Sequence, residues 1–185
     1  MSYMGIGIRC LIGTVFLVSS FSKVAGRGAF AAFTTSIRDM GLLPRALVRP
    51  AAWAVVIAEF AVWALLAVPA PAPAAVGFVI ALGLLVAFAI GITAVVRRGV
   101  RAPCRCFGAS ATPLGPRHVV RNVLLAVASA LGAVAVFSTG ALQVAGVAVA
   151  VPCGLLLGGL TVALDDLFVL FQPVRTAPAA ARGLR

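Results

Sequence analysis

Residues 74–96 read AAVGFVIALGLLVAFAIGITAVV. No charged residue falls in this stretch, and Thr93 is its one hydroxyl side chain. About 20 apolar residues, rising ~1.5 Å each, cross the ~30 Å hydrocarbon core of a bilayer. The stretch therefore predicts a transmembrane helix. Four further runs are of the same kind, at about Met4–Phe21, Ala51–Val68, Val119–Phe137 and Val144–Leu164. In lipid every backbone polar group must be satisfied within the spanning element, which helices achieve and open sheets do not. The runs are continuous and do not alternate with period two, which argues against a barrel. The expected fold is all-α, an integral membrane bundle of four helices plus a fifth transmembrane helix. Its parts are a core over 1–137, an additional helix in 138–172 and a basic tail over 173–185.

Composition agrees. The hydrophobic fraction is 63% and charged residues are 10% of the chain. Soluble domains are near half apolar and a quarter charged, so lipid is the main solvent of this chain. The net charge of +11 would suggest nucleic acid on a soluble protein. Here the basic residues lie between the apolar runs, where they report membrane topology and contact with anionic lipid. The segment 23–50 carries Lys23, Arg27, Arg38, Arg45 and Arg49 against Asp39. The segment 97–118 carries Arg97, Arg98, Arg101, Arg105 and Arg117, whereas the links near 69–73 and 138–143 are uncharged. By the positive-inside rule both basic loops face the cytoplasm, with the N-terminus outside. Within the first loop, Phe30, Phe33 and Ile37 have helical spacing and predict a short amphipathic helix. Gly41 to Pro44 then breaks the chain, and Pro69 to Pro73 predicts a tight turn.

Two places carry chemistry. The first is Cys104-Arg105-Cys106-Phe107-Gly108. Two thiols one residue apart close only a small ring, and such a disulfide departs from relaxed geometry and is easily reduced. Arg101 and Arg105 favour the thiolate, the reactive form, and Gly108 permits a tight turn. A metal site from Cys104, Cys106 and His118 is one ligand short of a closed zinc site. Two loop cysteines without a role are the plain alternative. Cys10 and Cys153 lie in apolar runs and read as small buried hydrophobes.

The second place is Glu59, in the middle of an apolar run. An ionised carboxylate there needs a partner or a proton. Counting along the helices from their shared loop sets Arg9 within about 8 Å of its depth, so an Arg9–Glu59 pair is expected, serving either helix packing or a proton relay. Arg121 and Asn122 open the fourth span and could hold the cysteine loop or an anionic group. Lys23, the chain's single lysine, closes the first span beside Ser22. Asp165 and Asp166 close the fifth run and oppose its helix dipole, which calls for arginine partners. Trp53 and Trp63 fit an aromatic belt at the two ends of the second span.

These residues resemble a known family. Arg9, Gly13 to Phe16 and Ser20 to Lys23, then Gly41-Leu42-Leu43-Pro44, Glu59, Arg98-Gly99, Cys104-Arg105-Cys106-Phe107-Gly108 and Arg121-Asn122 are similar to the methylamine utilisation protein MauE family, within the wider DoxX-like group of small four-helix membrane proteins. The resemblance covers roughly residues 5 to 135, and Arg105 stands where the family commonly has glycine. It implies redox maturation in a bacterial cell membrane, with Cys104 and Cys106 exchanging thiol and disulfide with a thioredoxin-like partner. Arg105, Phe107, Gly108, Arg121, Asn122, Lys23, Glu59 and Arg9 would be the supporting residues. Disulfide chemistry belongs outside the bacterial cytoplasm, whereas the charge pattern places the cysteine loop inside. Facing outward, the loop would parallel DsbB-like quinone-linked oxidases. Facing inward, it would draw electrons from cytoplasmic thioredoxin. No nucleotide loop, haem motif or HExxH element occurs. A quinone needs only an apolar cleft and so stays open as a cofactor. A non-catalytic membrane scaffold and a small-molecule carrier are the competing functions.

Overall fold

The structure is a computed structural model that describes residues 3–99, 103–104, 112–113, 115–138 and 143–170; of 103–104, 112–113 and 165–170 it describes the backbone alone. Six helices occur among the described residues: α1 Tyr3–Val24, α2 Ala29–Asp39, α3 Arg45–Ala67, α4 Pro71–Arg97, α5 Pro116–Ala135 and α6 Val144–Leu170. All but α2 are long and apolar enough to cross a membrane. Between α4 and α5, β1 (Pro103–Cys104) and β2 (Thr112–Pro113) pair antiparallel, with Cys104 opposite Thr112.

The five spans match the five apolar runs, and their starts are corrected by proline. Pro71 was expected in the 69–73 turn and Pro116 in the basic loop 97–118, yet each is the first residue of its helix. The first N–H groups of a helix have no internal acceptor, so proline loses nothing there and its fixed φ suits the first turn. The turn between α3 and α4 shortens accordingly to residues 68–70. Helix α3 begins at Arg45 rather than Ala51 and runs through Pro50, which removes one hydrogen bond, to Ala46. Helix α6 continues past Asp165 and Asp166 to Leu170.

Helices α1, α3, α4 and α5 surround one core built from Ile12, Val15, Phe16, Val62, Leu66, Phe78, Leu85 and Leu125. Large apolar side chains also cover the outside, among them Ile90, Val134 and Leu156. Lipid is as apolar as leucine, so these helices are held by close packing and polar contacts rather than by escape from water. The amphipathic α2 forms as expected. Its Phe33 is buried with Ala52 and Val56 of α3, and Phe30 and Ile37 pack beside it.

Helix α6 shows the packing rule most plainly. Gly146, Ala150, Gly154 and Gly158 fall at every fourth position and form one stripe against α1. A side chain at Gly154 would meet the carbonyl oxygen of Gly7 and come within 2.8 Å of the Cys10 Cβ. One at Gly158 would lie 3.0 Å from the Leu11 oxygen and 2.9 Å from the Thr14 Cβ. Gly159 faces open space. Of the two adjacent glycines, Gly158 is a contact and Gly159 is not. Gly154→Leu is expected to destabilise the helix pair by at least the ~1–3 kcal/mol of an overpacked core. Gly159→Leu should stay within ~0.5 kcal/mol. Unfolding of both variants in mixed micelles compares them.

Candidate functional site: a buried ion pair between α1 and α3

Helix α3 runs antiparallel to α1, and the short links keep the five spans in alternating directions. The C-termini of α1 and α4 and the N-termini of α3 and α5 therefore share one end of the bundle, which also carries the β1–β2 hairpin. Near this end Lys23 and Glu59 form an ion pair, with Nζ 2.8 Å from Oε1 and 2.9 Å from Oε2. Their side chains are 1% and 0% exposed. Ser19 completes the group. Its hydroxyl donates to Glu59 Oε1 at 3.0 Å and accepts from Lys23 Nζ at 2.6 Å, while Nζ also reaches the Ser19 carbonyl at 3.3 Å. The Phe33 ring of α2 closes the site, 5.1 Å from Nζ to its centroid, within cation–π range.

This corrects the expected Arg9–Glu59 pair. Side chains on a helix lean toward its N-terminus. Arg9 thus leans toward the far end of the bundle, where its guanidinium donates to the carbonyls of Leu66 and Val68 and caps the negative end of α3. Glu59, on an antiparallel helix, leans the opposite way. It meets Lys23, which leans back over Ser19, one turn earlier. Counting backbone depth alone missed this. Lys23 had been singled out as the lone lysine, and Ser19, four residues before it, is the signal that went unread.

Asn122 is fully buried on α5, and its Nδ2 donates to the His118 carbonyl at 2.8 Å. Its Oδ1 has no hydrogen-bond partner among the described residues. Gly132 of α5 lies against Ile8 of α1. Ten residues back along antiparallel α5, Asn122 reaches the depth of Val18 and Ser19. A polar layer thus crosses three helices at the level of the ion pair. His118 is 3% exposed, and Arg121 is half-buried beside a groove shared with α1 and α6. Trp63 is half-buried near the C-terminal end of α3, and its Nε1 is buried with no hydrogen-bond partner among the described residues. Trp53 is exposed and stacks on Phe30, with centroids 4.4 Å apart.

The backbone of Cys104 is held in the hairpin. Its side chain, and Arg105, Cys106, Phe107 and Gly108, lie outside the described residues, as do the side chains of Asp165 and Asp166. Cys10 is half-buried as a free thiol, and Cys153 is exposed on α6, not buried as expected. No metal-ligating cluster occurs among the described residues.

Compared with known proteins, the chain matches no curated sequence and no solved structure. Residues 1–135, which hold α1 to α5, match the family model of methylamine utilisation protein MauE. The match takes in the ion pair, the Arg9 cap, the hairpin and Asn122, and this five-span membrane protein accordingly belongs to the MauE family, from which its association with methylamine utilisation follows.

Proposed function

We propose that the chain is a membrane thiol–disulfide protein of the bacterial cell membrane, in which Cys104 and Cys106 cycle between dithiol and disulfide. In the forward step both thiols lose their protons, the two sulfurs bond, and the electron pair reduces the disulfide of a thioredoxin-like partner to two thiols. The observation that carries this is the backbone of Cys104, the first residue of the Cys-x-Cys element, held in a paired hairpin between α4 and α5. In the bundle that carries the hairpin, Lys23, Glu59 and Ser19 tie α1 to α3. A hairpin strand is a fixed starting point for a pair of thiols that must meet each other and a partner repeatedly. Arg105 and Arg121 favour the thiolate. Lys23 and Glu59 act as positioning residues.

A single serine variant tests this directly. With Cys106→Ser, the remaining Cys104 thiol cannot resolve an intermolecular disulfide, so a mixed disulfide with the partner should accumulate and disappear on reduction. The mirror variant Cys104→Ser tests the other order of attack. Absence of a trapped species from both variants contradicts the proposal. The buried ion pair favours a second reading, a non-catalytic membrane scaffold, which predicts that a partner co-purifies equally well with a chain lacking both thiols.

A further inference from the structure

We infer that the groove between α4 and α5, at the basic end of the bundle, is a binding site for an anionic phospholipid. The groove is about 550 Å³ and is lined by Ala89, Ile90, Thr93, Ala94 and Arg97 of α4 and by Arg98, which caps that helix, with Val119 and Val123 of α5. Its α4 wall consists of two adjacent rows at every fourth residue. Ala89 and Thr93 lead to Arg97, and Ile90 and Ala94 lead to Arg98. Each row is small or apolar within the membrane and ends on a guanidinium. The length from Ala89 to Arg97 is about 12 Å at helical rise, room for part of an acyl chain below a headgroup.

Charge decides the occupant. No acidic side chain lines the groove among the described residues. Among the described residues, neither the Arg97 nor the Arg98 guanidinium has a hydrogen-bond or ion-pair partner, while the Arg98 backbone N–H caps α4 on the Ala94 carbonyl. Side chains near a helix C-terminus lean back toward its N-terminus, which turns both guanidiniums over the groove. The positive end of α5, whose first turn begins at Pro116, adds to the same field. Basic pockets between transmembrane helices on the face bearing the basic loops select anionic headgroups. A zwitterionic headgroup would bring its own cation against two arginines.

Native mass spectrometry of the full chain in detergent, titrated with phosphatidylglycerol or phosphatidylcholine, tests the site. Phosphatidylglycerol should be retained at roughly thirtyfold lower concentration, from two basic contacts near the membrane surface. Arg97→Gln with Arg98→Gln should abolish that preference, and Arg38→Gln with Arg45→Gln, basic positions outside the groove, should keep it. Ala89→Trp fills the apolar part, leaves both arginines, and should also release the lipid. Equal retention of the two lipids by the parent overturns the inference, as does a preference undiminished in the Arg97/Arg98 variant or retention unchanged in Ala89→Trp.

Discussion

Lys23→Met and Glu59→Met are each expected to destabilise the protein by about 3–5 kcal/mol, the cost of leaving one buried charge without its partner. Carrying both substitutions together should recover most of that loss, because the desolvation of both ions is removed along with their attraction. The pair is 1% and 0% exposed, and a lone charge buried within a membrane span is costly. Lys23 has four acceptor contacts, two on Glu59 and two on Ser19. Glu59→Met takes both carboxylate contacts from the cation, and Lys23→Met leaves the carboxylate with the Ser19 hydroxyl donor. Unfolding of the three variants in mixed micelles reads the result as a double-mutant cycle, with a large coupling between positions 23 and 59. Two single losses that simply add would mean the residues do not act as a pair. Exchanging the charges, Lys23→Glu with Glu59→Lys, should recover less than the double methionine variant, because Ser19 is placed to serve a lysine four residues later.

Cys104→Ser and Cys106→Ser are each expected to eliminate thiol-dependent electron exchange, whereas Cys10→Ser and Cys153→Ser leave it intact. Disulfide formation needs both thiols, so either loss stops the cycle completely rather than slowing it. Cys10 lies on α1, and Cys153 faces outward on α6; neither is on the hairpin that begins at Pro103. A two-electron assay with reduced thioredoxin, run on all four variants in the same detergent, separates them. Equal retention in the Cys104 and Cys106 variants would transfer the function to the bundle itself and favour a scaffold. Arg105→Gly should shift the pH at which exchange begins upward, since the guanidinium that favours the thiolate is gone.

The five spans were legible because a run of about 20 apolar residues has few fates other than crossing a bilayer. Their ends were less legible, because proline is read as a breaker although at the first helical position it loses no hydrogen bond. Pro71 and Pro116 both show this. Glu59 announced itself by its position in an apolar run, but its partner did not. Arg9 and Lys23 lie on the same helix, and only the direction in which side chains lean decides between them. Asn122 was marked by its place after Arg121, while its burial required knowing which face of α5 meets α1. The four-residue spacing of the α6 glycines gains its meaning only from the backbone of Gly7 and Leu11 against which they lie. Cys104 and Cys106 were the strongest local signal in the sequence, and their proposed chemistry rests on that signal together with the family.

Thiol labelling in intact cells and in inverted membrane vesicles, before and after reduction, on a chain whose only cysteines are Cys104 and Cys106, tests the central claim most directly. The account predicts that the pair is protected in the resting protein, reacts after reduction, and does so from one side of the membrane only. Two thiols that label freely from the start and stay free under mild oxidant would contradict it.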